Sequence, residues 1–325
     1  RSPAPTDRLS LGAVPQRIDR RWGRSSYSAW TATSEDPARH ELGRDADPEG
    51  EEILDEADDH WPDDGPLSDF PRGASAGDCL HRILEQVSVQ SCAQDAELIE
   101  AELRRAGLDL SWGPAVQHGL QLVLQTPLGG PLGDLSLDQL ASQQRHPELA
   151  FDLPVEQVRT ADLVKAFEAE PEARFGADYQ ERLASLSVNS RGFLTGSIDL
   201  VFVDPNQRWW VLDWKSNWIG ERSGDGSDDR CGPRHYTEAA MENQMIHHHY
   251  PLQAHLYLVA LHRHLLWRLP GYRPERHLGG YVYVFLRGMP GSRQLDSRTT
   301  PGRIVEAAPL KRVLALDRLL HEGGR

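Results

Sequence analysis

The sequence has few cysteines: Cys79, Cys92 and Cys231 are the three among 325 residues. They form no C-x-x-C pair, and an odd, scattered number argues against a disulfide framework and for a reducing compartment. We therefore expect a cytoplasmic protein. The sequence also lacks any apolar run near the roughly 20 residues of a membrane-spanning helix, and no signal-peptide pattern opens it. We expect no membrane partner.

Two further features are missing. The sequence has no G-x-x-x-x-G-K-[ST] phosphate-binding loop, so no ATP-driven motor is expected in it. It begins at Arg1 in "RSPAPTDRLS", without a methionine and with prolines typical of a linker. We therefore expect a longer protein, and we interpret residues 1–34 as a segment leading from its upstream part.

Positive charge is scarce, because 35 Lys and Arg face 49 Asp and Glu, for a net charge of −14. The excess is concentrated in residues 35–66, where 14 acidic residues face two arginines, a net charge of −12. Low hydrophobicity and like-charge repulsion predict a disordered acidic linker or insertion there. A solvated tether is the simplest interpretation, and a regulatory mimic of DNA is the alternative. The folded domain is then expected in residues 67–325.

Helical and strand patterns alternate along the folded part. Helices are predicted in 74–89, 95–108, 113–128, 160–170, 236–245, 251–266 and 310–323, with Ser75 and Thr160 as N-caps. Strands are predicted in 146–155, in 279–289 and in two runs between 192 and 220, with a short strand and helix at 24–32. This order predicts an α/β fold with a mixed sheet flanked by helices.

Two apolar runs, "GSIDLVF" and "VLDWKSNWIG", contain three charged residues: Asp199, Asp213 and Lys215. Residues 204–207, "DPNQ", predict a turn that folds the second run back beside the first and places Asp199 near Asp213. Because side chains alternate along a strand, Asp213 and Lys215 share a face and Trp214 points to the other. Two carboxylates on such a pair suit Mg²⁺, and Lys215 is suited to help deprotonate a metal-bound water.

An ion pair that serves only the fold is the alternative for this D-x-K pattern. Lysine is rare, however, because only Lys165, Lys215 and Lys311 stand among the 35 basic residues, and neither of the other two follows an acid two positions earlier. A compact ammonium thus occupies the position at which it is chemically preferred to a guanidinium. The scarcity of lysine favours a functional site.

Other candidates come from the flanking segments. Glu148 precedes a strand and is either a further carboxylate of the site or a solvated charge. His81 lies on the apolar side of a predicted helix and is either a core histidine or close to the metal. Gln253 and Tyr257 share a helix face, where they reach the site periphery or form ordinary surface. Residues 247–249, all histidine, are interpreted as a helix-entry segment rather than a metal site.

The run "GSIDLVF…VLDWKSNWIG" resembles the nuclease motif of the PD-(D/E)XK superfamily, specifically the C-terminal nuclease domain of RecB-type helicase–nuclease subunits. The segments "FPRGASAGDCLHRILE", "YTEAAMENQM", "YPLQAHLYLVALHRHL" and "GGYVYVFLRGM" look like segments of that domain in the same order. The resemblance covers residues 67–325, and "RSSYSAWTA" is similar to the segment before the linker. The longer stretch at 220–235 departs from the pattern and leaves the role of that loop open.

The resemblance implies a restriction-endonuclease-like fold and Mg²⁺-dependent cleavage of DNA. By motif position, the implied metal ligands are His81, Asp199, Asp213 and the backbone carbonyl of Trp214. Lys215 is the implied catalytic lysine. The resemblance also implies Glu148 as an active-site carboxylate, and Gln253 with Tyr257 as the Q-x-x-x-Y element of the family. The iron–sulfur branch of the family needs four suitably placed cysteines, so no cluster is expected.

We therefore predict the nuclease domain of a RecB-type exodeoxyribonuclease subunit acting in double-strand break repair and recombination. The implied partners are DNA, RecC- and RecD-like subunits, and a RecA-like recombinase. The folded part carries a net charge of −6, so its own affinity for DNA should be modest and sensitive to salt. Two alternatives remain: a free-standing nuclease of the same superfamily, and a recombinase-docking module with a residual metal site.

Overall fold

A computed structural model describes residues 22–32, 61–87, 95–221, 229–292 and 301–322. Most of the predicted N-terminal segment and acidic linker, together with Cys92, lie outside the described residues. Within the described part, the helices and strands in chain order are β1 (Gly23–Ser26), α1 (Tyr27–Thr31), α2 (Ala74–Gln86), α3 (Ala96–Ala106), α4 (Gly113–Gln125), β2 (Arg145–Arg159), α5 (Thr160–Phe167), α6 (Ala177–Ala184), β3 (Asn189–Val203), β4 (Trp209–Lys215), α7 (Glu238–His247), α8 (Tyr250–Arg268), α9 (Pro274–His277), β5 (Leu278–Phe285), β6 (Arg303–Ala307) and α10 (Leu310–Glu322).

The described strands form one six-stranded mixed sheet in the order β1-β3-β4-β5-β6, with β2 paired to the other side of β3. Strands β1 and β3 run parallel, as do β4 and β5, while the other pairs are antiparallel. Strand β3 contacts β1 through residues 192–195 and β4 through residues 200–203. The two neighbours therefore share one edge of β3. The predicted mixed sheet of an α/β fold is confirmed.

Helices cover the sheet on two sides. Helices α5 to α8 and α10 pack on one face, where Val211, Tyr281 and Tyr283 project from the strands. Helices α2 to α4 pack on the other face, against Leu212 and Val282. The side chains of β4 and β5 alternate between these two cores, so both strands are buried on both faces and read as continuous apolar runs.

Two predicted helix caps are wrong. Helix α2 is capped by Gly73, whose φ of 96° favours glycine, and the Ser75 hydroxyl instead donates to the carbonyl of Ala106 on α3. Thr160 is the first residue of α5, and its hydroxyl donates to Leu186 O. In both cases a tertiary contact takes the hydroxyl that the local pattern assigns to a cap.

Candidate active site

The β3–β4 hairpin sets the geometry of the site. One oxygen of Asp204 accepts hydrogen bonds from the backbone N–H groups of Asn206 (2.8 Å) and Arg208 (2.9 Å). Its other oxygen accepts from Trp210 Nε1 at 3.0 Å. The turn predicted at 204–207 thus has its own buried acceptor. It fixes a ladder that runs from Val203 opposite Trp209 to Leu200 opposite Leu212, so Asp199 and Asp213 both lie next to the last pair of this ladder.

Asp213 and Lys215 form a buried ion pair on the α8 side of β4. The two residues are 3% and 2% exposed, and Lys215 Nζ lies 2.6 Å from Asp213 Oδ2. The ammonium also lies 3.9 Å from the centroid of the Tyr250 ring, a cation–π contact. Trp214, between them in sequence, packs into the core on the opposite face. The predicted alternation of faces is therefore observed.

Asp199 connects β3 to both β4 and α2. Its Oδ2 accepts the backbone N–H of Trp214 at 3.0 Å and lies 3.3 Å from His81 Nδ1. Burial raises the pKa of Asp199, but the charge and hydrogen bonding of His81, followed by the Trp214 amide and Lys215, hold that pKa below its ordinary value. His81 is thus buried against a carboxylate as well as against the apolar core.

Glu148 lies in the same row of the sheet. Pro147 pairs with Leu200 and Leu149 with Ile198, so the intervening Glu148 is the neighbour of Asp199 on β2. Its backbone has a φ of 49°, in the left-handed region that a glutamate rarely adopts, and its Oε2 accepts from Ser197 Oγ at 2.7 Å. The sheet therefore places Glu148 beside Asp199, at a point where β2 is locally irregular.

Gln253 and Tyr257 lie on α8 behind the ion pair. Gln253 Nε2 donates to the Tyr257 hydroxyl at 3.0 Å, and Gln253 Oε1 accepts from the Tyr283 hydroxyl at 2.9 Å. Tyr283 pairs with Asp213 in the β4–β5 ladder. Burial, and next the charge of Asp213, raises the pKa of Tyr283 well above its ordinary value. The Gln–Tyr pair therefore reaches the site through Tyr283 and is not free helix surface.

The predicted helix-entry segment, residues 247–249, joins α7 to α8. His249 has a φ of 59° before the first turn of α8, and burial lowers its pKa to about 4. The His248 ring stacks on Tyr250 with centroids 5.1 Å apart. The run therefore borders the site through Tyr250.

Sequence reasoning missed two residues beside the site. Tyr27 on α1 is close enough to Asp213 and Lys215 for both charges to act on it, and burial, with Tyr179 next, raises its pKa well above the ordinary value. Arg287, buried just after β5, donates to Ser216 O (3.1 Å) at the end of β4 and to three carbonyls of the loop before α2. Arg287 therefore links the loop before α2, the helix that carries His81, to the end of β4, the strand that carries Lys215. The one sequence signal for Tyr27 was that its segment, "RSSYSAWTA", is similar to the segment before the linker in the family.

A cavity of about 200 Å³ adjoins Asp199 on the α2 and α4 side of the sheet. Its walls are mostly apolar, with Leu200 and Trp214 from the strands, and its polar lining includes Arg145. Burial lowers the pKa of Arg145, and among the described residues its Nε has no hydrogen-bond acceptor. The cavity thus offers apolar walls and a guanidinium beside Asp199.

Comparison with known proteins identifies the family of the chain. A model of the PD-(D/E)XK nuclease superfamily matches residues 38–320. The chain belongs to the PD-(D/E)XK nuclease superfamily. Its similar relatives include the RecBCD enzyme subunit RecB of Mycobacterium tuberculosis (36% identical, covering 99% of this chain and 30% of the relative) and that of Escherichia coli K12 (34%, covering 68% and 17%). The RecB subunit of Mycolicibacterium smegmatis is 33% identical and covers 98% of this chain and 31% of the relative.

The predicted RecB-type nuclease domain with a restriction-endonuclease-like fold is therefore confirmed, and the chain belongs to a superfamily of nucleases, which are hydrolases. The chain spans about a third or less of the length of the curated relatives it matches. PD-(D/E)XK nucleases are metal-dependent enzymes. No helix in the described part of the chain is long and apolar enough to cross a membrane.

The donor atoms of the site are of the types that bind a divalent metal, but their side chains are not gathered into a metal cluster. Two buried carboxylates from neighbouring strands and one imidazole are the donor types that such ions take. Among the described residues, no three His, Cys, Asp or Glu side chains form a ready cluster. Instead His81 and Lys215 lie against the two carboxylates. These donors therefore fit a metal cation that would replace part of the contact that His81 and Lys215 make with the two carboxylates.

Proposed function

We propose that the domain hydrolyses DNA phosphodiester bonds with Mg²⁺ as its metal. The observation that supports this most directly is the buried Asp213–Lys215 pair at 2.6 Å with Asp199 on the neighbouring strand. Burying these charges costs free energy that a purely structural strand pair would avoid. Conversely, a nuclease needs carboxylates for its metal and a cation for the phosphate.

We propose His81, Asp199 and Asp213, with the backbone carbonyl of Trp214, as the residues that hold the metal. Bound there, Mg²⁺ supplies Lewis acidity towards the scissile phosphate and its attacking water. The backbone N–H of Trp214 fixes one oxygen of Asp199. The strands thus position the carboxylates before any substrate arrives, because the Asp204 turn sets their register.

Lys215 is proposed as the catalytic lysine. Asp213 holds its ammonium in place, and the Tyr250 ring faces it at 3.9 Å, so the charge is oriented and shielded from bulk water. An ammonium placed in this way stabilises negative charge that grows on phosphorus and orients the attacking water. Glu148 is proposed as the third carboxylate of the row, and Gln253 with Tyr257 supports the site through Tyr283.

The wider context is also a proposal. Because its relatives are named subunits of the RecBCD enzyme, we place the domain in an exodeoxyribonuclease that acts in double-strand break repair and recombination. RecC- and RecD-like subunits, a RecA-like recombinase and residence in the cytoplasm remain predictions from the sequence. A free-standing nuclease, or a docking module with a residual metal site, are the alternatives that the experiment below separates.

The decisive experiment measures degradation of labelled DNA with Mg²⁺ and with EDTA. Asp213→Ala and Lys215→Met should each lose at least about 100-fold in rate, the scale at which one charge-stabilising group acts. The matched control is Lys311→Met, because Lys311 also pairs with an acid, Glu172, at 2.9 Å, but on the surface. It should cleave DNA at the wild-type rate.

A single charge removal leaves its partner buried and uncompensated, which costs about 3–5 kcal/mol. The double variant Asp213→Asn with Lys215→Met removes both charges and should therefore stay folded while remaining inactive. A docking module would still bind its partner after Asp213→Ala. Wild-type cleavage by Asp213→Ala would refute the mechanism.

A further inference from the structure

The first half of β3 has one buried and one exposed face. Leu194 and Ile198 are buried in the core under α8, whereas Phe193, Thr195 and Ser197, which alternate with them, are exposed or half-buried. Strand β2 repeats the pattern at the paired positions, where Ala150, Asp152 and Pro154 are exposed. This part of the sheet therefore presents an open face, since α2 to α4 pack against its other half.

An aromatic cluster lies at the far end of this open face. Trp22 and Phe193 are 44% and 37% exposed and meet edge to face with ring centroids 5.6 Å apart. The guanidinium of Arg191 lies 5.9 Å from the centroid of the Trp22 ring. Arg24, paired in register with Phe193, extends over the same face and reaches Asp152 at 3.7 Å. Two large exposed rings with two arginines form a surface that a structural role does not require.

This aromatic cluster is continuous with the candidate active site. Asp199 lies six residues beyond Phe193 along β3, which at about 3.3 Å per residue is roughly 20 Å. Thr195 and Ser197 lie between them on the same face, and Ser197 contacts Glu148. A stacked strand with about 3.4 Å per nucleotide would cover this distance with roughly six nucleotides.

We infer that the open face of β1, β2 and β3 is a track for single-stranded DNA, with Trp22 and Phe193 as its stacking platform. Bases stack on exposed aromatic rings with little regard to sequence, and arginines beside the rings contact the phosphates. The paired bases of a duplex offer no free faces for such stacking. The inference rests on the proposed function, because it assigns the substrate form and the path by which a strand reaches the same site.

Arginines at the platform suit a polyanion although the chain is acidic overall. Arg24 and Arg191 lie at the cluster, and the exposed Asp152 pairs with Arg24. Guanidinium groups beside the rings contact phosphates while the rings stack on bases. Binding there should weaken as salt rises, but stacking should retain part of it.

The test measures binding of a fluorescein-labelled 12-nucleotide oligothymidylate by fluorescence anisotropy, in EDTA so that cleavage does not interfere. Trp22→Ala and Phe193→Ala should each weaken binding by roughly 5- to 100-fold, the range of one stacked base. Trp22→Phe, which keeps a ring, should retain most of the affinity, whereas Trp22→Leu should not. A merely structural or apolar role would not separate these two variants.

The matched control is Trp267→Ala. Trp267 is 78% exposed at the end of α8 and also stacks with an arginine, Arg268, at 4.8 Å, but it is not on the open face. Its removal should leave oligonucleotide binding unchanged. A blunt duplex of 12 base pairs is the second control, because its binding should not respond to Trp22→Ala.

The inference and the proposed function fail in different ways. With Mg²⁺, the platform variants should raise KM for the 12-nucleotide strand but leave cleavage of a trinucleotide, which is too short to reach the platform, unchanged. A wild type that binds the strand through Trp22 but never cleaves it would refute only the proposed function. Cleavage with affinity insensitive to both aromatic substitutions, or equally sensitive to Trp267→Ala, would overturn the track.

Discussion

The buried Arg287 offers the sharpest test of how the fold positions the site. Its guanidinium donates to the carbonyls of Leu67 (2.6 Å), Phe70 (2.8 Å), Pro71 (2.8 Å) and Ser216 (3.1 Å). The first three belong to the loop that leads into α2 and His81, and Ser216 follows Lys215. Arg287→Met keeps an unbranched apolar stem in place of the arginine methylenes but removes every donor.

The cost can be worked from these contacts. A hydrogen bond to a charged group contributes about 1.5–3 kcal/mol, so four amount to about 6–12 kcal/mol. Removing the guanidinium also removes its desolvation penalty of several kcal/mol. We therefore expect a net loss of about 3–5 kcal/mol in the free energy of unfolding. At roughly 2–4 °C per kcal/mol for a chain of this size, the Tm should fall by about 6–20 °C.

Arg312→Met is the matched control. Arg312 is also fully buried and donates to three carbonyls, but these belong to residues 167–174 around α5, away from the candidate ligands. Thermal unfolding should show a comparable loss for both variants. DNA cleavage, measured at a temperature at which both are folded, should fall for Arg287→Met and stay near wild type for Arg312→Met. Equal activity of the two folded variants would refute the positioning role of Arg287.

Three further predictions concern stability and the site. Burial lowers the pKa of His255 to about 3. Below pH 6.5 the unfolded chain therefore binds a proton that the folded chain does not, and the free energy of unfolding falls by about 1.4 kcal/mol per pH unit. In urea unfolding, His255→Gln should lose less stability than wild type between pH 7 and 5. Asp204→Ala removes three accepted hydrogen bonds and should cost about 2–4 kcal/mol in the same assay; an unchanged midpoint would contradict the turn's role. Tyr283→Phe leaves Gln253 without one donor, and should lower the cleavage rate with little change in KM.

Much of the site could be predicted because its parts are local in sequence. The turn at 204–207 fixes the hairpin, and the two-residue period of a strand fixes which of Asp213, Trp214 and Lys215 share a face. These rules need no knowledge of the rest of the chain. The predicted helices from α2 to α4 and from α7 to α8 follow in the same way from their apolar spacing.

What the sequence could not show depends on distant partners. Nothing in "FLRGM" indicates the partners of Arg287, because its acceptors lie up to 220 residues away. Helix α6, with only Tyr179 and Leu183 buried, has too short an apolar pattern to be predicted. Strand β2 extends from 145 to 159, well beyond the predicted 146–155, because pairing along the full length of β3 supports it.

Strand β3 explains why the chemistry lies where it does. From residue 191 to 197 its side chains alternate between the open face and the core, whereas from Ile198 to Val203 every residue is buried. Asp199 stands at this change. On the buried side, α2 and the amide of Trp214 hold its carboxylate, which is 4% exposed, and on the other side lies the open face that we infer to be the DNA track. A carboxylate further along β3 would lie deeper between the two cores, and one earlier would lack His81 and the Trp214 amide that hold the pKa of Asp199 low. The boundary between a one-sided and a two-sided strand is therefore the position at which an acid is held rigidly and still adjoins the open face.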